Sequence, residues 1–426
     1  RGGRLARPAR RPPLACGVFA AVPVGVTPDL APDRWTPIAR VTVDAPLGRV
    51  HWADGIRLDC FSLWLYENTV AIDPITREST VDPFDLPDPS ILVDARVGSD
   101  GALDVVWVDG NQSQVHPGWL RSIAEDHHVP DAVFGAPTVW TSKMGDPPTF
   151  DGSTVLDDDV VFEAWLTALV THGLARLRNT PTTREAMESV ARRIGPIRGS
   201  NFGDVFTVEA IHEQADSLAN TGGNLGQHAD LPTRETPPGF QFLHCVENTV
   251  AGGASRMTDG LAVVERLRAE HGEHYEALTT LEWVFASRAK DGDHRWIGPM
   301  IDCGSAHSPL TMRAFYPVCL APHMRTTDVP RAYAAMRVFS AVAHDPELMM
   351  SNRFEPGDLV GFDNRRILHG RDAYDPGAGR RVLRGCYIDR DDVLSRLRVL
   401  RRVGPRSDFS ADSAGPLDRS RKETRP

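Results

Sequence analysis

Lysine is almost absent from this 426-residue chain: only Lys143, Lys290 and Lys422 contribute to its 47 basic residues, and the other 44 are arginine. With abundant Ala, Gly, Val, Asp and Pro, that bias reads as the composition of a GC-rich bacterial genome rather than as function. Cysteine is scarce too. Six stand at 16, 60, 245, 303, 319 and 386, with no C-x-x-C among them. They are too scattered to staple a fold or build a zinc site, which points to a reducing, cytoplasmic compartment. No run approaches the roughly 18 apolar residues of a membrane span, so no membrane partner is expected. A positive balance is also missing: 57 acids outnumber 47 bases, for a net charge of −10, which argues against nucleic acid as a partner. What is present is ordinary for a folded chain. Apolar residues at 41% and charged residues at 24% exclude wholesale disorder, and the length suits more than one domain.

Residues 1–34 read as a flexible N-terminus. Five arginines and no acid precede residue 29, which could also be read as a targeting segment, although the apolar patch from Leu14 to Val26 is interrupted by Gly, Pro and Cys. Residues 35–125 carry short strand-like runs, such as Arg40 to Val43, Ile56 to Cys60 and Leu103 to Val108 before the turn Asp109-Gly110, and read as a small β-rich domain. Residues 126–155, rich in Pro, Gly and Asp, read as a linker. Residues 156–403 form the main domain, and 404–426 a flexible C-terminus. Within the main domain, Asp157-Asp158-Asp159 opens a helix expected to close at Arg176 and Arg178, acids first and bases last. Thr182 to Glu185 reads as a capping box and Gly195-Pro196 as a stop. Gly239 to Val246, Leu310 to Leu320, Asp358 to Asp363 and Val382 to Ile388 read as buried strands, with helical periodicity at 259–271 and 330–343. The fold expected is mainly β with flanking helices, an antiparallel sandwich or barrel.

Chemistry centres on Gly226-Gln227-His228-Ala229-Asp230. Residues two apart on a strand share a face, so His228 and Asp230 could grip one ion. His369, in Asn364-Arg365-Arg366-Ile367-Leu368-His369-Gly370-Arg371, is the candidate third ligand. Two imidazoles and a carboxylate on one face leave three positions open, the arrangement of non-haem Fe(II) oxygenases. Spacing alone leaves the pair undecided, because about one H-x-[DE] is expected by chance at average composition. A second, His271-Gly272-Glu273, sits in a polar helical run and reads as a solvated helix end, and His127-His128 as surface. Arg381, twelve positions beyond His369, could lie on the next strand of a hairpin and face the same cavity, where a guanidinium would fork onto the far carboxylate of a dicarboxylic keto acid. Arg380 would then face the opposite way.

These motifs occur with others in a fixed order: Pro237-Pro238-Gly239-Phe240-Gln241-Phe242-Leu243-His244-Cys245, Gly252-Gly253-Ala254-Ser255-Arg256-Met257-Thr258-Asp259-Gly260, Phe354-Glu355-Pro356-Gly357-Asp358 and Gly385-Cys386-Tyr387. The set resembles the γ-butyrobetaine hydroxylase and trimethyllysine hydroxylase family of TauD/TfdA-like Fe(II)/2-oxoglutarate-dependent dioxygenases, strongly over about 200–403 and more weakly over 36–121. The resemblance implies a double-stranded β-helix (jelly roll), with Fe(II) on His228, Asp230 and His369. It also implies that 2-oxoglutarate chelates the iron while Arg381 and Ser255 hold its distal carboxylate, and that O₂ is the co-substrate.

Two departures from that family bear on function. The stretch matching the cysteine cluster that holds structural zinc in its animal members, Leu65 to Pro74, has no cysteine, so no structural zinc is expected. The positions matching the family's aromatic cage for trimethylammonium are Phe202, Phe206, Asn220 and Tyr387, with Asn220 replacing a Tyr. The substrate expected is a small trimethylammonium compound with an acidic tail, carboxylate or phosphonate, and Arg288 and Arg313 are the candidates to bind that tail. A homodimer is expected. Two other readings stand beside this one: a zinc-dependent hydrolase using the same triad, and a catalytically silent binding protein on the same scaffold.

Overall fold

The computed structural model describes residues 26–27, 35–44, 46–70, 73, 78, 80, 92–125, 136–210, 220–289, 292–304 and 310–401. The expected flexible ends, the strand Val26–Thr27 apart, and the pair His127-His128 lie outside the described residues. Two units divide the chain, one ending at Glu125 and the other covering Asp126–Arg402.

The first unit is β-rich. Arg40–Asp44, Leu47–His51 and Arg57–Phe61 form one antiparallel sheet. Leu92–Val97, Leu103–Trp107 and Gln112–Val115 form another, with Val26–Thr27 added in parallel. Alternation along Leu103–Trp107 buries Leu103, Val105 and Trp107 against Val50, Cys60, Leu65 and Leu120. The helix Pro117–Ala124 opens with proline, where a missing N–H costs nothing, and the His116 ring accepts the Trp119 N–H.

The second unit is a double-stranded β-helix. Its larger sheet runs in the order Ile197–Arg198, Arg381–Ile388, Phe240–Asn248, Leu359–Asp363, Leu174–Arg178, Thr149–Asp151, with Val205–Val208 also on Arg381–Ile388. Its smaller sheet is Leu225–His228, Ile367–Arg371, Ser255–Asp259, Met349–Asn352. Leu243, Cys245, Met257, Met350, Val360, Phe362, Ile367 and Leu383 cluster in the core. Phe240 to Cys245 is covered on both faces, so Gln241 and His244 are buried along with the apolar residues of the strand. Its other face, Phe240 and Phe242, packs under the helices Asp159–His172, Ala186–Ile194 and Arg390–Leu400. No helix among the described residues is long and apolar enough to cross a membrane.

Four local expectations need correction. The helix that opens at the aspartate run stops at His172, because Gly173 takes a left-handed conformation (φ 69°), and Arg176 and Arg178 lie on the following strand. The capping box does not form: Glu185 is the N-cap residue and its side chain makes no capping bond. Leu310 to Leu320 is not one strand but Thr311–Met312, a 3₁₀ turn Tyr316–Val318 and the start of Cys319–His323, since Pro317 offers no N–H to a ladder. The described part of the expected linker belongs to the second unit. Thr149–Asp151 pairs with Leu174–Arg178, and the Trp140 N–H reaches Asp259, which also receives a buried two-pronged ion pair from Arg366 at 2.9 and 2.7 Å.

Candidate metal centre

His228 ends the strand Leu225–His228, directly opposite His369 in Ile367–Arg371, and the two rings stand 4.1 Å apart. Asp230 is not on that strand. The chain leaves the ladder after His228, the Ala229 N–H bonds to the Ala314 carbonyl, and Leu231 adopts a positive φ of 53°. Asp230 therefore reaches the histidines from a turn rather than by strand alternation. Asn364 fixes that turn: its Oδ1 accepts the Asp230 N–H at 2.7 Å and its Nδ2 donates to the Asp230 carbonyl at 3.0 Å. As a result the Nε2 atoms of His228 and His369 face Asp230 Oδ1 at 3.3 and 3.8 Å.

The donor set suits a cation. His228 Nδ1 bonds to the Gly226 carbonyl at 2.9 Å, which leaves the Nε2 lone pair toward the centre. Burial, reinforced by the neighbouring His228, pushes the His369 imidazole down to about 3 against the pull of Asp230, so it is neutral at physiological pH. Burial works to raise the Asp230 carboxyl. The contacts with His228, His369 and the Tyr387 hydroxyl outweigh it and hold the group well below the usual carboxylate range. Two imidazoles and one carboxylate, with ligand atoms all within 4.8 Å of one another, fit a divalent transition metal such as Fe(II).

Beside this centre is a cavity of about 500 Å³. At one end lies Arg381, 3% exposed, whose Nη2 donates to Ser255 Oγ at 3.2 Å and whose Nε has no partner. No carboxylate pairs with it among the described residues. Burial, with Arg371 close by, brings the guanidinium down to about 10, so it stays charged at neutral pH. Arg380 faces away, as expected, and pairs with Glu209 and Glu247 at 2.8 and 2.9 Å. The expected hairpin is absent, however. Arg381 opens a strand of the larger sheet, paired with Phe240–Asn248, and so looks across the sandwich at the sheet that carries His369.

At the other end are Phe202, Phe206 and Tyr387; Asn220 also lines the cavity. Phe206 lies 6.1 Å from Phe202 and 5.2 Å from Tyr387, centroid to centroid. Gly385 makes room for it, since a Cβ there would sit 2.4 Å from the ring. The two arginines expected to bind an acidic tail are not at the cavity. Arg313 is 4% exposed and spends its guanidinium on the carbonyls of Pro232, Arg234 and Glu235 at 2.6–2.8 Å, stacked 4.7 Å over Trp296. It secures the loop after Asp230. Strand alternation turns Ser287 toward the cavity and leaves Arg288 exposed.

The model of the family described as "Taurine catabolism dioxygenase TauD, TfdA family" matches residues 136–387. The chain belongs to that family. A gamma-butyrobetaine dioxygenase from Pseudomonas sp. (strain AK-1) is 38% identical to it over 373 residues, 86% of this chain and 97% of the relative. The human gamma-butyrobetaine dioxygenase is 27% identical over 84% of this chain and 95% of its own length. A mitochondrial trimethyllysine dioxygenase from Rattus norvegicus is 25% identical over 71% of this chain and 72% of its own. With membership shown, this TauD/TfdA dioxygenase is an oxidoreductase, and the hydrolase and silent-binder readings fall away.

Sequence reasoning passed over several residues of the dioxygenase's site. Tyr387, assigned to the substrate alone, also donates its hydroxyl to Asp230 Oδ2 at 2.8 Å. Arg371, two positions beyond His369, lines the cavity and donates to the Thr221 and Gly223 carbonyls at 2.7 and 2.8 Å, beside Asn220. Phe315 and Phe362 pack on His228 and His369, each at 4.8 Å. The contacts of Tyr387 and Asn364 with Asp230 join residues 157 and 134 positions apart, and no local pattern announces them.

Proposed function

We propose that this dioxygenase holds Fe(II) on His228, Asp230 and His369, binds 2-oxoglutarate through Arg381 and Ser255, and oxidises an unactivated C–H bond of a trimethylammonium compound with an acidic tail. The observation that carries this reading is the meeting, in one cavity, of a His/Asp/His cluster with a buried arginine that has no carboxylate of its own. Iron with a bound keto acid and O₂ supplies an oxidant able to remove hydrogen from carbon. The chain's own residues do the rest. The imidazoles and carboxylate leave three coordination positions open, and the guanidinium forks onto an anion and so fixes the length and direction of a dicarboxylate. Phe315, Phe362 and Leu243 exclude water.

Selectivity must come from gripping the substrate away from the reacting carbon. Phe202, Phe206 and Tyr387 offer π faces to a soft cation, and the names of the relatives, which act on gamma-butyrobetaine and trimethyllysine, support that chemistry. With Arg288 exposed and Arg313 engaged elsewhere, the lining offers neutral polar groups to the acidic tail: Asn201, Asn220, Ser287 and the buried Thr233, whose hydroxyl has no partner. A cytoplasmic homodimer completes the reading. The five described cysteines are free, as in a reducing compartment, and light scattering tests the dimer.

A panel of small betaines, trimethylammonium phosphonates and plain amino acids, assayed for substrate-stimulated succinate release with Fe(II), 2-oxoglutarate and O₂, tests the function. Stimulation by a quaternary amine is expected. Better stimulation by uncharged compounds or plain amino acids would overturn the cage, and no 2-oxoglutarate turnover with any compound would overturn the whole assignment.

A further inference from the structure

Asp230 is held at three points. Asn364 grips its N–H and its carbonyl, so the turn it stands on cannot swing, and Tyr387 takes one carboxylate oxygen. The oxygens are thereby divided. Oδ1 faces the Nε2 atoms of His228 and His369 at 3.3 and 3.8 Å, while Oδ2 accepts the Tyr387 hydroxyl at 2.8 Å. Tyr387 itself has little freedom. It is 1% exposed and lies opposite Gln241 on one neighbouring strand and Arg198 on the other, with its ring against Phe206.

Resting on the iron-site reading above, we propose that Tyr387 is a positioning residue whose hydroxyl restricts the Asp230 carboxylate to a single metal-facing oxygen. The count of open positions depends on it. A carboxylate free to turn can close both oxygens onto one ion, and a fourth coordination position would then be taken by protein. A bidentate keto acid and O₂ together need three. The Tyr387 hydroxyl makes that turn cost a buried hydrogen bond to a charged acceptor, one of the stronger kinds. The same side chain lines the substrate end of the cavity, so one residue serves the ion through its oxygen and the substrate through its ring.

Tyr387→Phe separates the two roles, because it keeps the ring and removes only the hydroxyl. Fe(II) and then 2-oxoglutarate are titrated anaerobically into the wild type, Tyr387→Phe and Phe206→Ala, followed by calorimetry and by the charge-transfer absorption of the iron–keto-acid complex. Tyr387→Phe should weaken Fe(II)-dependent 2-oxoglutarate binding about tenfold or more and shift the band, while its affinity for a quaternary-amine substrate changes by less than about twofold, since the π face remains. Phe206→Ala should show the opposite pattern. Unchanged 2-oxoglutarate affinity and an unshifted band in Tyr387→Phe would overturn the proposal. So would a crystal structure of the wild type with Mn(II) and 2-oxoglutarate in which both Asp230 oxygens bind the ion. This second measurement decides the matter even if the variant is unstable. A wild type without any Fe(II)-dependent 2-oxoglutarate binding would bring down the iron-site reading itself, and the proposal with it.

Discussion

The two ends of the cavity are built differently. At the Arg381 end the key side chain is almost fully buried, joined to Ser255 and backed by Tyr374 at 5.9 Å from the ring. At the aromatic end Phe202 is 42% exposed, and Asn220, the position that matches a fourth ring in the family, lines the same cavity. A buried guanidinium without a carboxylate is costly unless an anion arrives, so that end is committed to one kind of guest. The aromatic end is held by packing that tolerates change. On the proposed reading, chemistry is fixed at one end, and choice of substrate is left open at the other.

Removing the centre between the two ends should have the largest effect. His228→Ala and His369→Ala should abolish Fe(II) binding and turnover, and wild-type iron affinity in either variant would refute the ligand assignment. Next comes the committed end. Arg381→Lys keeps the charge but loses the fork, so the 2-oxoglutarate KM should rise beyond about tenfold, on the order of 1.4 kcal/mol or more. Arg380→Lys, on an exposed ion pair, should change it little. Equal effects of the two would erase the distinction between the neighbours. Changes at the permissive end should be smaller and confined to the substrate. Phe206→Ala should raise its dissociation constant about threefold to thirtyfold with 2-oxoglutarate affinity spared. Asn220→Tyr adds an aromatic face and should tighten binding of a trimethylammonium compound about twofold to fivefold; weaker binding would mean that Asn220 bonds to the substrate directly. The smallest effect is none: elemental analysis of iron-free protein should find no stoichiometric zinc.

The sequence disclosed the candidate ligands more reliably than the geometry that unites them. His228, Asp230 and His369 stand out by type and spacing, and they do converge. Strand alternation was nevertheless the wrong reason for Asp230, because the ladder ends at His228 and a side chain 134 residues away sets the turn. Arg381 is legible as an anion partner, yet it reaches the cavity from the opposite sheet, since register along one chain does not reveal which strands become neighbours. The strands around Phe240, Leu359 and Arg381 are legible because burial on both faces concentrates apolar residues in them, although Gln241, His244 and Arg384 interrupt the runs. Arg288 and Arg313 were misread for a related reason. Among 44 arginines nothing local separates one that meets a ligand from one that meets three carbonyls.

The clasp of Asn364 on both sides of Asp230 has a consequence for metal supply. Because this clasp draws on protein partners alone, the three donors stand in place before any ion arrives, and filling the site does little folding work, unlike a zinc finger that collapses without its metal. Selection between ions then falls to intrinsic affinity, where Fe(II) ranks below Co(II), Ni(II) and Cu(II). Poisoning by such an ion would silence the enzyme without unfolding it, and because any tightly bound ion stabilises the native state, a thermal-shift assay would pass a dead preparation as sound.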